Sequence, residues 1–212
     1  MKVYVETYGC ASNKADGEII AGILEKEGFE ICDSVEEADV IIILTCIVKT
    51  PTEKRMINRI KELTSLHKPL IVGGCMPKVE KELIKKLSPS ASLLGPDSIT
   101  KVKEVVERVL RGERTEVLDD MRVPKLCLPR RRENDIIGII PIAIGCACNC
   151  SFCVTKFARG RLFSYPVENV KKEVEKFVKE GCKEIWLTSQ DCGAYGLDIG
   201  RTLPDLLRSV CE

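Results

Sequence analysis

Four cysteines within eight positions are the residues of this chain most suited to metal chemistry. Cys146, Cys148, Cys150 and Cys153 lie in the segment PIAIGCACNCSFCVTK, residues 141–156. Three close thiolates on one loop can hold an iron–sulfur cube and leave its fourth iron without a protein ligand. Zinc is the alternative, but it needs four ligands, and Cys148 would complete the set only through very tight chelate rings. The spacing favours a cluster on Cys146, Cys150 and Cys153, with Cys148 as a non-ligand.

A second set of three cysteines follows three predicted strands. Cys10, Cys46 and Cys75 stand in YGCASN, LTCIVK and GGCMPK, each just past the carboxyl end of a strand. In an open parallel sheet these ends form the ligand crevice, so the three thiols are expected to meet in space. A single cysteine of this kind is more often a small buried residue under a loop. Three at equivalent positions predict a shared metal site, again suited to a cluster.

The elements that carry these cysteines predict an α/β fold in two parts. Residues 1–112 contain the strand-like runs KVYVET, DVIIILT, PLIVGG and ASLLG, each followed by an amphipathic helix. We therefore expect a small doubly wound parallel sheet. Among its helices, one is expected to begin with a capping box at 50–53, one to run from Val79 to Leu87, and one to open at Asp97 or Ser98.

The remaining residues predict a connection and the start of a second unit. Residues 113–135 are rich in charge and proline and are predicted to be a linker, with an edge strand near 115–118. A strand at 136–145, the cysteine loop, a helix at 166–180, a strand at 184–189 and a helix near Pro204 follow. One and a half β-α units cannot close a sheet. Residues 136–212 are thus expected to be the truncated beginning of a larger domain.

Composition points to a reducing compartment. The chain has 12 cysteines, a net charge of +1, no apolar stretch long enough for a membrane span and no signal-peptide layout. We expect a cytoplasmic protein without a membrane partner, in which thiols serve as ligands or small apolar residues rather than disulfides. Four cysteines have no partner at metal-ligand spacing and are predicted to be structural: Cys32, Cys127, Cys182 and Cys211.

Several basic residues have both a structural and a functional interpretation. A run in the linker is expected either to be solvated or to contact nucleic-acid phosphates, and it comprises Lys125, Arg130, Arg131 and Arg132. Arg159 and Arg161 are expected either to reach a cofactor or substrate or to form ion pairs on their loop. His67, the only histidine, is predicted to lie on the surface.

The cysteine loop resembles a known signature. GCACNCSFC, with Phe152 just before the last cysteine, is similar to the C-x3-C-x-aromatic-C motif of the radical S-adenosylmethionine (SAM) enzymes. The resemblance implies that Cys146, Cys150 and Cys153 bind a 4Fe-4S cluster whose open iron takes SAM. It also implies that Phe152 lies near the adenine, although a plain core position remains open. In TSQD, the resemblance makes Ser189, Gln190 and Asp191 candidates for the SAM amino end, with a capped turn as the alternative.

Three further segments resemble the methylthiotransferase family: ETYGCASNKADGE, DVIIILTCIVKTPTEKR and IVGGCMPK. The resemblance implies a flavodoxin-like domain holding a second 4Fe-4S cluster on Cys10, Cys46 and Cys75, followed by the first units of a radical SAM partial barrel. One SAM would donate a methyl group to sulfur, and a second would supply the radical that activates a C–H bond. An electron donor of the flavodoxin or ferredoxin kind and a sulfur source are implied as partners.

Two later segments resemble the archaeal and eukaryotic branch of that family, TKFARGRLFSYPVENV and CKEIWLTSQDCGAYGLDIGRTLPDLL. That branch acts on threonylcarbamoyladenosine beside the tRNA anticodon, placing methylthio at C2. Isopentenyladenosine in tRNA, a ribosomal protein side chain, or a non-catalytic zinc module remain alternatives. Cys192 stands where family members commonly have threonine, which leaves the polar contacts of that loop open.

Overall fold

The protein's fold is taken from a computed structural model, which describes residues 1–47, 50–119, 122 and 124–212; for residues 50–52 it describes the backbone alone. The predicted capping box at 50–53 therefore depends on side chains outside the described residues. Helix α2 nonetheless begins at Thr50, as the sequence predicts. Among the described residues, no helix combines the length and the apolar character that crossing a membrane requires.

A six-stranded sheet organises the first half of the chain, and every pairing in it is parallel. Its strands, in the order β2-β1-β3-β4-β5-β6, are β1 (Lys2–Thr7), β2 (Glu30–Cys32), β3 (Val40–Thr45), β4 (Leu70–Gly74), β5 (Ser92–Leu94) and β6 (Glu116–Val117). The four predicted strands and the edge strand β6 are confirmed. The sequence missed β2, because three residues that include an exposed glutamate give too short a pattern to stand out.

Helices cover both faces of this sheet, which confirms the doubly wound prediction. They are α1 (Ala11–Lys26), α2 (Thr50–Ser65), α3 (Met76–Val79), α4 (Lys81–Leu87) and α5 (Val102–Leu110). Along β3, Ile41 and Ile43 pack towards α2 and α4, whereas Val40, Ile42 and Leu44 pack towards α1 and α5. Every residue of β3 is buried, as expected for a strand covered on both sides.

Two helices of the first half differ from the sequence prediction. The helix expected from Val79 to Leu87 is interrupted at Glu80, whose φ of −115° and ψ of 38° lie outside the helical region. The apolar residues on either side still pack against the same core, so their periodicity conceals the break. The helix expected at Asp97 or Ser98 begins as a 3-10 turn, Pro96–Lys101, and becomes α5 only at Val102.

The second half contains two short sheets. Strand β7 (Ile137–Pro141) pairs in parallel with β10 (Glu184–Thr188), and β8 (Ala143–Ile144) pairs antiparallel with β9 (Phe163–Ser164). The single strand predicted at 136–145 is thus wrong in one respect. It divides at Ile142, whose N–H donates to Thr188 while its carbonyl accepts from Tyr165, so the backbone changes partners there.

Three helices accompany these strands: α6 (Thr155–Arg159), α7 (Val167–Lys179) and α8 (Leu203–Cys211). Helix α7 matches the prediction within one residue at each end. Helix α8 begins at a capping box in which the Thr202 hydroxyl accepts from the Asp205 N–H and the Asp205 carboxylate accepts from the Thr202 N–H. An apolar core that includes Ile140, Tyr165 and Leu206 packs α7 and α8 against these strands, whereas Ala158 of α6 packs into a core of the first half.

The basic run between the two halves is not a solvated segment as a whole. Lys125 is 2% exposed and ion-pairs with Asp16 of α1 at 2.7 Å. The buried Arg130 side chain lies between Glu18 of α1, at 3.6 Å, and Glu173 of α7, at 3.1 Å. For these two residues both the solvated and the phosphate-contact predictions are wrong, because both side chains are buried and already paired with carboxylates. Arg131 fits a solvated position, since its ion pair with Glu25 is exposed, whereas Arg132 is mostly buried, with a 13% exposed side chain beside Cys182.

Gly22 of α1 is where the connecting segment crosses the helix most closely. A Cβ at this position would lie 2.4 Å from both the Cα and the N of Arg130. Alanine normally gains about 1 kcal/mol over glycine inside a helix, but overpacking costs about 1–3 kcal/mol. Because the clash is with backbone atoms, which cannot turn away, the cost lies at the upper end of this range, and we expect Gly22→Ala to lower the free energy of unfolding by about 2 kcal/mol in urea titrations. Gly193→Ala is the matched control, since its Cβ would meet only Asp191, at 3.4 Å; equal stability of both variants and the parent would contradict the packing described.

Glu116 gives the edge strand β6 a pH-dependent contribution. Its carboxylate contacts Lys81 and lies 2.7 Å from Arg114. The hydrogen bond from Lys81 exceeds the opposing effect of burial and, with Arg114, lowers the pKa of Glu116 to about 2 from its ordinary 4.5. A depressed pKa stabilises the fold above the ordinary value, and this contribution is lost as the pH falls from 4.5 towards 2.

Replacing Glu116 with glutamine should therefore lower the free energy of unfolding at neutral pH but not in acid. Because the site is partly exposed, we expect a loss of about 1 kcal/mol at neutral pH. Urea unfolding of both proteins over a pH series should show this difference shrinking below the ordinary carboxyl pKa. A difference that stays constant into acid would assign the effect to packing instead.

Candidate functional site

A cavity of about 240 Å³ lies where the carboxyl ends of the N-terminal strands face the cysteine loop of the second half. Its wall contains Cys10, Asn13, Cys46, Cys75, Cys146, Cys153, Thr155, Arg159, Ser189 and Gln190. Five of the six predicted ligand cysteines thus share one cavity, although their positions span more than half of the chain. Cys10, Cys46 and Cys75 all lie in this wall, as expected of residues at equivalent strand ends, and their role as metal ligands stays a prediction.

The first triplet is positioned by the turns from strand to helix. The carbonyl of Cys10 accepts from the N–H groups of Asn13 and Lys14 as α1 begins. Cys46 directly follows β3. Cys75 follows β4 at the start of α3, and its N–H donates to the Thr45 carbonyl at 3.1 Å. Each thiol is therefore attached to backbone that the parallel sheet holds in place.

The second triplet begins at a turn that requires glycine. Gly145 has a φ of +73°, and a Cβ there would lie 1.9 Å from the Arg161 carbonyl oxygen. Its N–H donates to Gln190 Oε1 at 2.7 Å, which ties the start of the cysteine loop to the turn after β10. The next residue, Cys146, donates its N–H to the Gly160 carbonyl at 3.2 Å.

Not every predicted ligand lies in the cavity wall. Cys150 is exposed and is absent from the lining residues of the described cavity. Instead, ligand atoms of Cys146, Cys148 and Asp191 lie within 4.8 Å of one another. Such a tight grouping suits one ion, whereas each thiolate of a cubane cluster bonds a different iron. The exclusion of Cys148 and the ligand role of Cys150 both stay predictions from the sequence.

Of the four residues predicted to contact SAM, two line the described cavity and two do not. Ser189 and Gln190 line the cavity. Asp191 accepts from the Ala194 N–H at 3.3 Å and caps the short 3-10 helix Cys192–Ala194, which fits the capped-turn alternative. Phe152 is 89% exposed, so the core interpretation of this ring is wrong. Its place near an adenine stays a prediction.

Apart from Arg159, the other residues singled out in the sequence lie outside the described cavity. His67 is exposed, as predicted. Cys32 and Cys182 are buried, whereas Cys127 and Cys211 are exposed, so only the first two fit a packing role. Arg161 is exposed, and its carbonyl accepts from the Arg122 guanidinium.

Arg159, which follows the second triplet in the chain, contacts Cys75 of the first triplet, and the sequence did not predict this contact. It is 1% exposed; its Nη1 donates to Asp16 Oδ2 at 2.8 Å and its Nε lies 3.3 Å from Cys75 Sγ. Asp16 is the residue that sequence reasoning missed. It stands three and four positions before Ile19 and Ile20 on the buried face of α1, and a carboxylate on an apolar helix face is a signal that periodicity could have revealed.

Burial and neighbouring charges have opposite effects on the pKa values of Asp16, Lys125 and Cys75. Burial raises the pKa of the Asp16 carboxyl, but Lys125 and Arg159 outweigh it and hold that pKa below its ordinary value. Burial lowers the pKa of the Lys125 ammonium, with Asp16 opposing. Burial also raises the pKa of the Cys75 thiol, while Arg159 favours the thiolate. Asp16 is consequently an anion at neutral pH, held between two cations.

One donor of this group is left without a partner. Within the described ranges 1–47, 50–119, 122 and 124–212, the buried Nη2 of Arg159 has no hydrogen-bond acceptor. Leaving a buried charged donor unpaired costs free energy, so this atom would be stabilised by an acceptor in the cavity that Arg159 lines. A thiolate-bound iron–sulfur group is anionic and its sulfurs accept hydrogen bonds. The donor set of the cavity therefore fits such a group.

Comparison with solved structures identifies the kind of fold. A radical S-adenosylmethionine methyltransferase, TsrM, from Kitasatospora setae, solved with cobalamin and a [4Fe-4S] cluster bound, has a TM-score of 0.64 to this chain. The match covers 98% of this chain and 51% of that protein at 17% identity. A second structure of the same protein gives a TM-score of 0.62. The chain therefore shares its fold with about half of that protein.

Sequence comparison identifies the family. Residues 2–95 match the model described as "Uncharacterized protein family UPF0004". Over 99% of its length the chain is 42% identical to proteins of Methanothermobacter thermautotrophicus and Pyrococcus abyssi named "Probable threonylcarbamoyladenosine tRNA methylthiotransferase". A human protein named "Threonylcarbamoyladenosine tRNA methylthiotransferase" is 37% identical. The chain spans about half the length of the archaeal proteins and 37% of the human one. It belongs to this methylthiotransferase family.

Proposed function

We propose that this chain is the N-terminal part of a tRNA methylthiotransferase that acts on C2 of threonylcarbamoyladenosine next to the anticodon. The observation that carries the proposal is the convergence of five cysteines from two triplets on one cavity. Relatives at 37–42% identity, matched along essentially the whole chain, bear the name of this activity. The proposed partners are tRNA, a flavodoxin- or ferredoxin-like electron donor and a sulfur donor.

Cys10, Cys46 and Cys75 are proposed to hold one 4Fe-4S cluster, and Cys146, Cys150 and Cys153 a second. When bound, the clusters and SAM supply the low-potential electron, the radical chemistry and the methyl group that an unactivated C–H bond requires. The chain's own residues hold these ligands in position. Gln190 accepts from the Gly145 N–H and so fixes where the second triplet begins.

Further contacts restrict the rest of the cysteine loop. Lys156 Nζ lies 3.2 Å from the Cys148 carbonyl oxygen and contacts Asn149, so the loop is tied to α6. Ser189 accepts from the Asp191 N–H at 3.1 Å and shapes the turn that faces the thiols. These bonds reduce the freedom of the ligands before any cofactor binds, which is how a protein favours one ligand geometry.

The test is mass spectrometry of tRNA nucleosides from cells with and without the complete gene. We expect 2-methylthio-threonylcarbamoyladenosine to disappear in the deletion strain and to return with the wild-type gene. A gene carrying Cys10→Ala should not restore it, whereas one carrying Cys211→Ala, an exposed cysteine outside the cavity, should. Loss of the isopentenyladenosine derivative, or of a modified ribosomal protein side chain, would reassign the substrate.

A zinc-binding module is the second candidate, because Cys146, Cys148 and Asp191 form a group tight enough for one ion. Zinc accepts thiolate and carboxylate ligands in this kind of arrangement. Metal analysis after anaerobic reconstitution separates the two candidates. Iron with equal sulfide supports the enzyme, and colourless protein with stoichiometric zinc supports the module.

A further inference from the structure

Arg159 follows the second cysteine triplet in the chain and places its positive charge beside the first. It is the last residue of α6, which begins two residues after Cys153. From there its side chain reaches the N-terminal sheet, with Nε 3.3 Å from Cys75 Sγ and Nη1 2.8 Å from Asp16 Oδ2. The part of the chain that follows the second triplet therefore supplies a donor to a thiol of the first.

Two buried basic side chains share one carboxylate beside Cys75. Lys125 and Arg159 both pair with Asp16, and their side chains are each 2% exposed. Arg159 also lies 3.3 Å from the Cys75 sulfur. An uncompensated buried charge is costly, so the arrangement favours a negative group at Cys75.

The geometry also leaves a second donor of Arg159 available. Its Nη2 is buried and has no acceptor in the described part of the chain, and the residue lines the cavity that contains Cys10, Cys46 and Cys75. Hydrogen bonds to cluster sulfurs and positive charge beside a cluster both favour its reduced form, because that form is the more negative. Arg159 offers both kinds of interaction at one triplet.

We propose that Arg159 is a positioning residue that raises the reduction potential of the group held by Cys10, Cys46 and Cys75. This inference rests on the proposed function, since it requires an iron–sulfur cluster on that triplet. The step concerned is the gain of one electron from an external reductant, in which no bond forms or breaks. The second half of the molecule would thereby set the redox property of the first.

The test uses the full chain with Cys146, Cys150 and Cys153 replaced by alanine, so that only the first cluster forms on anaerobic reconstitution. Potentiometric titration followed by electron paramagnetic resonance then compares this parent with its Arg159→Gln, Arg159→Lys and Arg111→Gln derivatives. Arg111 is the matched control, because it is an arginine in the N-terminal half whose side chain is 59% exposed. Thermal unfolding of each metal-free protein checks that it is folded.

We expect Arg159→Gln to raise the ratio of oxidised to reduced cluster at a fixed potential about tenfold, a shift of about 59 mV to lower potential for one electron. Arg159→Lys keeps the positive charge but loses the planar guanidinium group, so its reduction potential should shift less. If the glutamine variant does not fold, the lysine variant is compared with the control instead. Arg111→Gln should not shift. If the parent holds four irons with sulfide and neither Arg159 variant differs from the control, this inference alone is wrong. A parent that binds no cluster would overturn the proposed function together with it.

Discussion

Replacing Asp16 with asparagine should lower the free energy of unfolding of the metal-free protein by about 3–5 kcal/mol at neutral pH, because it leaves two buried cations without their anion. Lys125 and Arg159 lie 2.7 and 2.8 Å from its two carboxylate oxygens. These partners are 109 and 143 residues further along the chain, so the loss would weaken the contact between the two halves. Urea titration followed by circular dichroism measures it.

The pH dependence of this effect follows from the sign of the pKa change. The pKa of Asp16 is lower in the folded protein than its ordinary value. Its contribution is therefore complete above the ordinary carboxyl pKa and is lost as the pH falls through the folded value. The difference in the free energy of unfolding between the parent and the asparagine variant should be constant near neutrality and shrink as the pH falls below the ordinary carboxyl pKa.

Glu25→Gln is the control for this prediction, since Glu25 lies on the same helix and pairs with Arg131 at 3.0 Å in an exposed position. Exposed pairs contribute about 0–1 kcal/mol. If the Asp16 variant loses no more free energy of unfolding than the Glu25 variant, the buried pairs of Asp16 with Lys125 and Arg159 do not hold the two halves together as described.

The second large effect is expected in the iron and sulfide content of the reconstituted protein. The reconstituted full protein should contain about eight irons and eight sulfides, four of each per cluster. Cys75→Ala should reduce both numbers to about four, because the N-terminal triplet loses a ligand that lies in the cavity wall. Cys153→Ala should do the same through the other triplet. Colorimetric iron and sulfide assays with protein quantification give these values.

Two cysteines outside the cavity serve as controls. Cys127 and Cys211 are exposed, and neither belongs to the residues that line the described cavity. Their alanine variants should keep the full iron and sulfide content. Iron that falls equally in all four variants would show that oxidation or aggregation, rather than ligand loss, controls the assay.

The sequence predicts the sheet and the first triplet for the same physical reason. Strands buried on both faces read as unbroken apolar runs, as in VIIILT of β3, and the ends of parallel strands meet at one edge. Cys10, Cys46 and Cys75 could therefore be placed together before any coordinates. The short strand β2 and the break at Glu80 could not, because three residues or one change of φ leave no mark on the periodicity.

The buried charges were beyond sequence reasoning because their partners are far apart in the chain. Lys125 and Arg130 stand in a run of charge and proline that is typical of a solvated linker. Only the folded chain brings Asp16, Glu18 and Glu173 against them. The same holds for Arg159, whose approach to Cys75 joins residues 84 positions apart.

The most direct test of the account is the location of iron by anomalous X-ray scattering in crystals of the full protein grown without oxygen. The account predicts two four-iron centres, one bonded to the sulfurs of Cys10, Cys46 and Cys75 and one to those of Cys146, Cys150 and Cys153. A single metal ion between Cys146, Cys148 and Asp191, with the N-terminal thiols free, would contradict it.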